Sequence, residues 1–263
     1  MQQHHRDTID RFIARYGADE NVLAVLLGGS IAHGFARIDS DIDVLIILTE
    51  AEFARRKQIN KLAFSIRDPQ IVTYEGGYVD CKVATLEFLE TIAGKGSDAA
   101  RYAFKDAQVL FSRVGELSDL LARVTRFNQA EKLPRRHRFL CQLLAWKWYF
   151  SQAVEKDSDY LRHLATQKVM LFAARVVLNE NDMLYPYHKW LLREVARAPR
   201  KPDGFDAALA DVGREPNSQR INELVAAVFA FVNLGETDVD WPNQFLTDSE
   251  FSWLNHQTPV DDL

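Results

Sequence analysis

The sequence predicts an α+β N-terminal part, a small mixed sheet with helices, followed by an all-helical C-terminal bundle. Two observations carry this. Residues 1–115 alternate short apolar β-rich runs with stretches of helical spacing, and beyond residue 115 strand signals nearly vanish. The expected domains are therefore 1–115 and 116–263, the second ending in an acidic tail. Residues 236–263 hold seven Asp and Glu and no Lys or Arg.

The elements follow in order. Ile9, Phe12, Ile13 and Tyr16 have helical spacing, and Gly17 is a stop signal. Val22–Leu27 is a β-rich run closed by Gly28-Gly29, and Ile42 with Val44–Leu48 forms a second. Glu52–Ser65 reads as a helix. Ile71–Tyr74 and Tyr78–Thr85 read as strands around the turn Glu75-Gly76-Gly77. Leu86–Ala93 and Asp98–Phe104 fit helices, and Val109–Phe111 a short strand. Helices are then expected over Gly115–Phe127, Arg136–Val154, Asp159–Asn179, Tyr187–Ala198 and Ile221–Leu234. Asp157 or Ser158 can cap the third of these.

Composition narrows the class. With 263 residues, 47% hydrophobic and 26% charged, the chain can bury a sizeable core and is not disordered in the main. A net charge of −5 argues against wholesale binding to nucleic acid or an anionic membrane. Cys81 and Cys141 stand in apolar runs and read as buried thiols, not as zinc ligands or a disulfide. The polar start Met1–Arg6 is followed by an amphipathic stretch, and the apolar runs are too short to span a bilayer, so a cytoplasmic protein is expected.

The chemistry concentrates in Leu27-Gly28-Gly29-Ser30-Ile31-Ala32-His33-Gly34 and Asp39-Ser40-Asp41-Ile42-Asp43-Val44-Leu45-Ile46. A strand ending in two glycines and a serine lets backbone N–H groups and a hydroxyl approach an anion closely. Asp41 and Asp43, two residues apart at the head of a strand, place both carboxylates on one face. Two like charges held there are costly unless a cation binds them, and hard oxygen ligands suit Mg²⁺ completed by substrate phosphates.

This pattern resembles the DNA polymerase β-like nucleotidyltransferase superfamily, whose signature is a Gly-Ser turn followed by an Asp-x-Asp pair. Gly29 and Ser30 match the turn, and Asp41 and Asp43 the metal-binding pair. The trailing helical part is similar to the bacterial branch with aminoglycoside and lincosamide nucleotidyltransferases, and hence to antibiotic resistance. The resemblance implies a third carboxylate on a later strand. In Tyr78-Val79-Asp80-Cys81-Lys82-Val83, alternation turns Val79, Cys81 and Val83 inward and puts Asp80 on the opposite face with Lys82. Asp80 would then complete the metal site and accept the proton of the attacking hydroxyl. Arg37 on the loop and Lys189 in Pro186-Tyr187-His188-Lys189-Trp190 are expected to bind nucleotide phosphates.

The activity so implied is transfer of a nucleoside monophosphate, AMP from ATP by default, to a hydroxyl of a small antibiotic-like acceptor, with two Mg²⁺ ions and release of pyrophosphate. The alternatives are a protein or RNA acceptor, or a non-catalytic nucleotide-binding interaction protein. Ser40 is expected to hold the loop and His33 to take a surface or packing role. The basic run Lys132–Arg138 reads as a solvated helix start rather than an RNA patch. Trp146 and Tyr149 share a helix face open to lining a substrate cleft.

Overall fold

A computed structural model of the chain describes residues 1–255 and 260; residues 256–259 and 261–263, which hold the end of the acidic tail, lie outside the described residues. By contacts the chain divides into Met1–Gly96 with Ala100–Arg126, and Ser97–Ala99 with Phe127–Leu263.

In the first unit, helix α1 (Gln3–Tyr16) buries Ile9 and Phe12, and the Gly17 N–H closes its end on the Ile13 carbonyl at 2.8 Å. Strand β1 (Val22–Leu27) leads through the short helix α2 (Gly29–Ala32) to β2 (Ile42–Leu48), helix α3 (Glu50–Gln58), β3 (Ala63–Ile66) and β4 (Val79–Ala84). Helix α4 (Leu86–Lys95), helix α5 (Asp98–Tyr102), whose Asp98 and Ala99 count with the second unit, strand β5 (Gln108–Ser112) and helix α6 (Leu117–Val124) follow. The five-stranded sheet runs β3-β4-β2-β1-β5 and is mixed: β2 and β4 are parallel, and the other pairs antiparallel.

Period two sorts the strands between two cores. Val25, Leu27, Val44, Ile46, Leu48, Val79, Cys81 and Val83 pack with Ile9 and Phe12 of α1. Ala24, Leu26, Ile47 and Ala84 pack on the other face with Leu89 and Ile92 of α4 and Leu120, Leu121 and Val124 of α6. Asp43 and Asp80 belong to this second face by alternation, toward the starts of β2 and β4.

Two sequence expectations are corrected here. The helix expected over Glu52–Ser65 stops at Gln58, and Asn60 takes a positive φ of 54°. Ala63–Ile66 then pairs antiparallel with β4, so sheet pairing wins over local helical spacing. The segment Ile71–Tyr74 forms no strand. Ile71 and Val72 are buried, and Thr73 is held instead by the Thr8 hydroxyl and the His4 carbonyl.

Thr49 caps α3 by accepting from the Glu52 N–H. Glu52 in turn accepts from Arg55 at 2.7 Å and Arg56 at 2.9 Å. These hydrogen bonds hold its carboxyl down at about 2, against an ordinary 4.5. A depressed acid stabilises the fold above its unfolded value and loses that contribution as pH falls through the folded one. Glu52→Gln is therefore expected to lower the melting temperature at pH 7 and to leave it nearly unchanged at pH 2. Equal losses at both values would show that the ion pairs contribute nothing.

The second unit is helical. Helices α7 (Lys132–Glu155) and α8 (Asp159–Glu180) form a hairpin, and the Ser158 hydroxyl caps α8 by accepting from the Leu161 N–H. Helices α9 (Leu191–Ala196), α10 (Phe205–Arg214), α11 (Ser218–Phe231) and α12 (Trp241–Phe245) complete it. Phe139, Leu143, Phe172, Val176, Val225 and Val228 build its core. The fully buried Arg175 lies 4.5 Å from the Phe139 ring centroid and 3.9 Å from that of Tyr185. The basic run is not a solvated helix start. Lys132, Arg135, Arg136 and Arg138 pair with Asp182, Asp98, Glu180 and Asp248, and the Arg135–Asp98 bond of 2.7 Å is buried. Both cysteines are free and buried, as read from the sequence. Among the described residues, no helix is long and apolar enough to cross a membrane.

Candidate functional site

Strand β1 ends at Leu27, and the chain turns sharply at two glycines. The Gly28 N–H donates to the Asp43 carbonyl at 2.9 Å, which stitches the turn to β2 at an acidic residue. Gly29 has φ +61°, the left-handed region that favours glycine. A Cβ there would overlap the Asp43 carboxylate and stand 2.7 Å from the Asp43 Cβ. The turn therefore rests against the Asp43 side chain, at a distance only glycine permits. The next residue, Ser30, has a buried Oγ with no hydrogen-bond partner among the described residues. An orphaned buried hydroxyl costs about 1–3 kcal/mol, a cost that an incoming polar ligand relieves.

The loop from α2 to β2 is pinned from within. The Ser40 Oγ accepts from the Arg37 N–H at 2.8 Å, so Ser40 holds the loop, and the Ser40 carbonyl accepts from the Tyr74 hydroxyl at 2.8 Å. The Arg37 side chain is exposed and pairs with Asp39 at 3.2 Å. Asp41 precedes β2 by one residue and is hydrogen-bonded to the Tyr78 phenol, whose pKa is raised chiefly by that bond. The Arg67 guanidinium covers the Tyr78 ring at 4.5 Å. Burial, with Asp41 adding to it, pushes the Tyr74 phenol up to about 12. Both phenols thus stay protonated near neutral pH and can donate.

Asp43 and Asp80 are register partners on the parallel strands β2 and β4. The Ser65 Oγ of the edge strand β3 donates to the Asp80 Oδ1 at 3.5 Å. The alternation expected around Asp80 holds: Val79, Cys81 and Val83 are buried, whereas Lys82 is exposed. His33 is buried, 3.2 Å from Asp106 and stacked on Tyr102 at 4.9 Å, in keeping with a packing role. Lys189 lies in the helical unit on a 3₁₀ turn, exposed, with its Nζ 4.9 Å from the Trp190 ring centroid.

The sheet thus brings Gly29, Ser30, Asp43 and Asp80 to one end of β1, β2 and β4, with Asp41 just beyond. Among the described residues, no group of three or more His, Cys, Asp or Glu side chains is gathered to hold a metal ion. The donor set nevertheless fits a divalent cation. Two hard carboxylates beside a turn with an orphaned hydroxyl can seat Mg²⁺ once substrate phosphates supply further ligands, and that arrangement needs no third carboxylate. Sequence reasoning missed Tyr78, which holds Asp41, and Ser65, which holds Asp80. Period two counted back from Asp80 puts Tyr78 beside Asp41; Ser65 was hidden inside the expected helix.

Residues 8–78 match the family described as nucleotidyltransferase domain. The match contains the glycine turn and both Asp41 and Asp43, and it ends two residues before Asp80. The chain is a transferase, and the match supports nucleotidyl transfer as its general activity. A nucleotidyltransferase-like protein from Exiguobacterium sibiricum 255-15, known from a crystal structure, is 11% identical, with 96% of this chain and 80% of that one covered and a TM-score of 0.48. None of the curated proteins matches.

Proposed function

We propose that this transferase moves a nucleoside monophosphate, AMP from ATP, onto a hydroxyl of a small, antibiotic-like acceptor and releases pyrophosphate. The observation that carries the reading is the contact of Gly29 with the Asp43 carboxylate beside the orphaned Ser30 hydroxyl. A phosphate-binding turn and a cation-binding carboxylate are thereby joined in one small structure.

The backbone N–H groups of the turn and the Ser30 Oγ bind the triphosphate oxygens, and the exposed Arg37 adds a cation to the loop. Asp41 and Asp43 would hold a Mg²⁺ ion, with Asp80 available to a second, and the bound metal would supply positive charge for the triphosphate. Tyr78 fixes the Asp41 carboxylate by donating to it, and Ser65 fixes Asp80. The Asp80 carboxylate takes the proton of the acceptor hydroxyl. That oxygen forms a bond to the α-phosphorus, and the bond to the β-phosphate oxygen breaks, so pyrophosphate leaves with the electron pair. Most of the acceleration comes from positioning and fixed charge.

Two variants test the parts. Ser30→Ala is expected to weaken Mg²⁺–ATP binding about 10-fold or more, the value of a hydrogen bond to a charged group, while the melting temperature stays level or rises. Calorimetric titration decides; unchanged affinity would reduce Ser30 to a turn residue. Asp80→Asn is expected to keep nucleotide binding and lose about 10²–10⁴-fold in transfer, the value of general-base help. Near-normal turnover in that variant would remove Asp80 from the mechanism.

A further inference from the structure

The ladders lay the polar residues at the sheet end out in two rows. Asp43 of β2 is in register with Asp80 of β4, and Asp80 with Ser65 of β3. One residue earlier, Val79 pairs with Ile42 on one side and Ile66 on the other, and all but Ile66 are buried. One residue earlier again stand Asp41, Tyr78 and Arg67. Period two puts this row on the same face as the first, about 7 Å from it. The contacts agree: Tyr78 is hydrogen-bonded to Asp41, and the Arg67 guanidinium lies 4.5 Å from the Tyr78 ring centroid.

Sheet order separates two sides of this face. The glycine turn follows β1, and the strands then run β2, β4 and β3 toward the edge. At about 4.8 Å per strand, Arg67 stands one strand from Asp80 and three from the turn. Arg67 is exposed, and no carboxylate pairs with it among the described residues. Arg37, by contrast, is held by Asp39. An arginine beside Asp41 and Asp80 that pairs with neither is not placed to neutralise them. Its seat on the Tyr78 ring uses its charge and leaves its N–H donors available. Lys82, two residues beyond Asp80 on the same face, is likewise exposed and without a carboxylate partner among the described residues. Asp80 thus has a free cation in the row on either side of it.

From this we infer that Arg67 binds an anionic oxygen group of the acceptor, a phosphate or a carboxylate, beside the hydroxyl that Asp80 deprotonates. The planar guanidinium fork matches either group with two parallel hydrogen bonds. Lys82 adds positive charge on the other side of Asp80. A neutral polyol gains little from Arg67, and a cationic acceptor is repelled by it. The inference rests on the nucleotidyl-transfer reading for the role of Asp80, and it narrows the acceptor to hydroxylated acids.

The test titrates the full chain by calorimetry with glycerol 3-phosphate as the probe and glycerol as its uncharged counterpart. Each titration is run without nucleotide and with the Mg²⁺ complex of a non-hydrolysable ATP analogue, which fills the glycine turn and leaves the probe to report on the Arg67 side. Saturable probe binding is expected, at least 10-fold tighter than glycerol. Arg67→Gln is expected to weaken the probe at least 10-fold and Arg67→Lys less, while the analogue binds both variants within about twofold of the parent. Absence of saturable probe binding, equal binding of glycerol, or unchanged probe affinity in Arg67→Gln overturns the inference. So does a greater loss of the analogue than of the probe, which would assign Arg67 to the triphosphate. Failure of the analogue to bind the parent chain would instead strike the nucleotidyl-transfer reading, and the titrations without nucleotide then decide on Arg67.

Discussion

Gly29→Ala is expected to abolish transfer and to destabilise the N-terminal unit together. At φ +61° an alanine carries the strain of a left-handed residue, about 1–3 kcal/mol. Its Cβ would also occupy the space of the Asp43 carboxylate, so either the turn or the carboxylate must move. Displacing a binding group by an ångström can cost about 10²-fold in rate, and here both the phosphate turn and the cation ligand shift at once. Gly28→Ala is the control, because a Cβ at Gly28 meets nothing within 4 Å. Denaturant melts and transfer assays on the two variants should separate cleanly. Equal behaviour would show that the contact with Asp43 is incidental.

Asp43→Asn is expected to behave differently: little change in folding and a loss of about 10³-fold in transfer, on the scale of removing one preorganised electrostatic contact. The bond from the Gly28 N–H goes to the Asp43 backbone carbonyl, so the substitution leaves it in place. It also removes a negative charge from the register partner of Asp80, so stability should stay within about 1 kcal/mol of the parent. Melting temperatures and single-turnover rates at saturating Mg²⁺–ATP check both halves. Retained turnover would dissociate Asp43 from the metal.

The residues placed at one end of the sheet were legible because their signals are local. A glycine pair after an apolar run marks a turn, and two Asp two residues apart at a strand head share a face. The edge strand was not legible. Phe64 and Ile66 follow a genuine helix with suitable spacing, and only pairing with β4 makes Ala63–Ile66 a strand. Ile71 and Val72 misled in the opposite direction, since burial without a ladder leaves the same apolar signature as a strand. The basic run at the head of α7 was misread because its acidic partners, Asp98, Glu180, Asp182 and Asp248, lie far away in sequence. Helix α10 was overlooked although Phe205, Leu209 and Val212 carried its spacing.

The central claim is that the turn at Gly29 and Ser30 and the carboxylates of Asp41 and Asp43 form one nucleotidyl-transfer site. It is tested most directly by incubating the chain with Mg²⁺ and ATP labelled at the α-phosphate, over a panel of small hydroxylated acceptors. Pyrophosphate and labelled product are followed together, with Asp43→Asn in parallel. The account predicts one equivalent of pyrophosphate for each nucleoside monophosphate attached, dependent on Mg²⁺ and lost in Asp43→Asn. Label transfer that persists undiminished in Asp43→Asn, or ATP that binds and is never cleaved between the α- and β-phosphates with any acceptor, would contradict it.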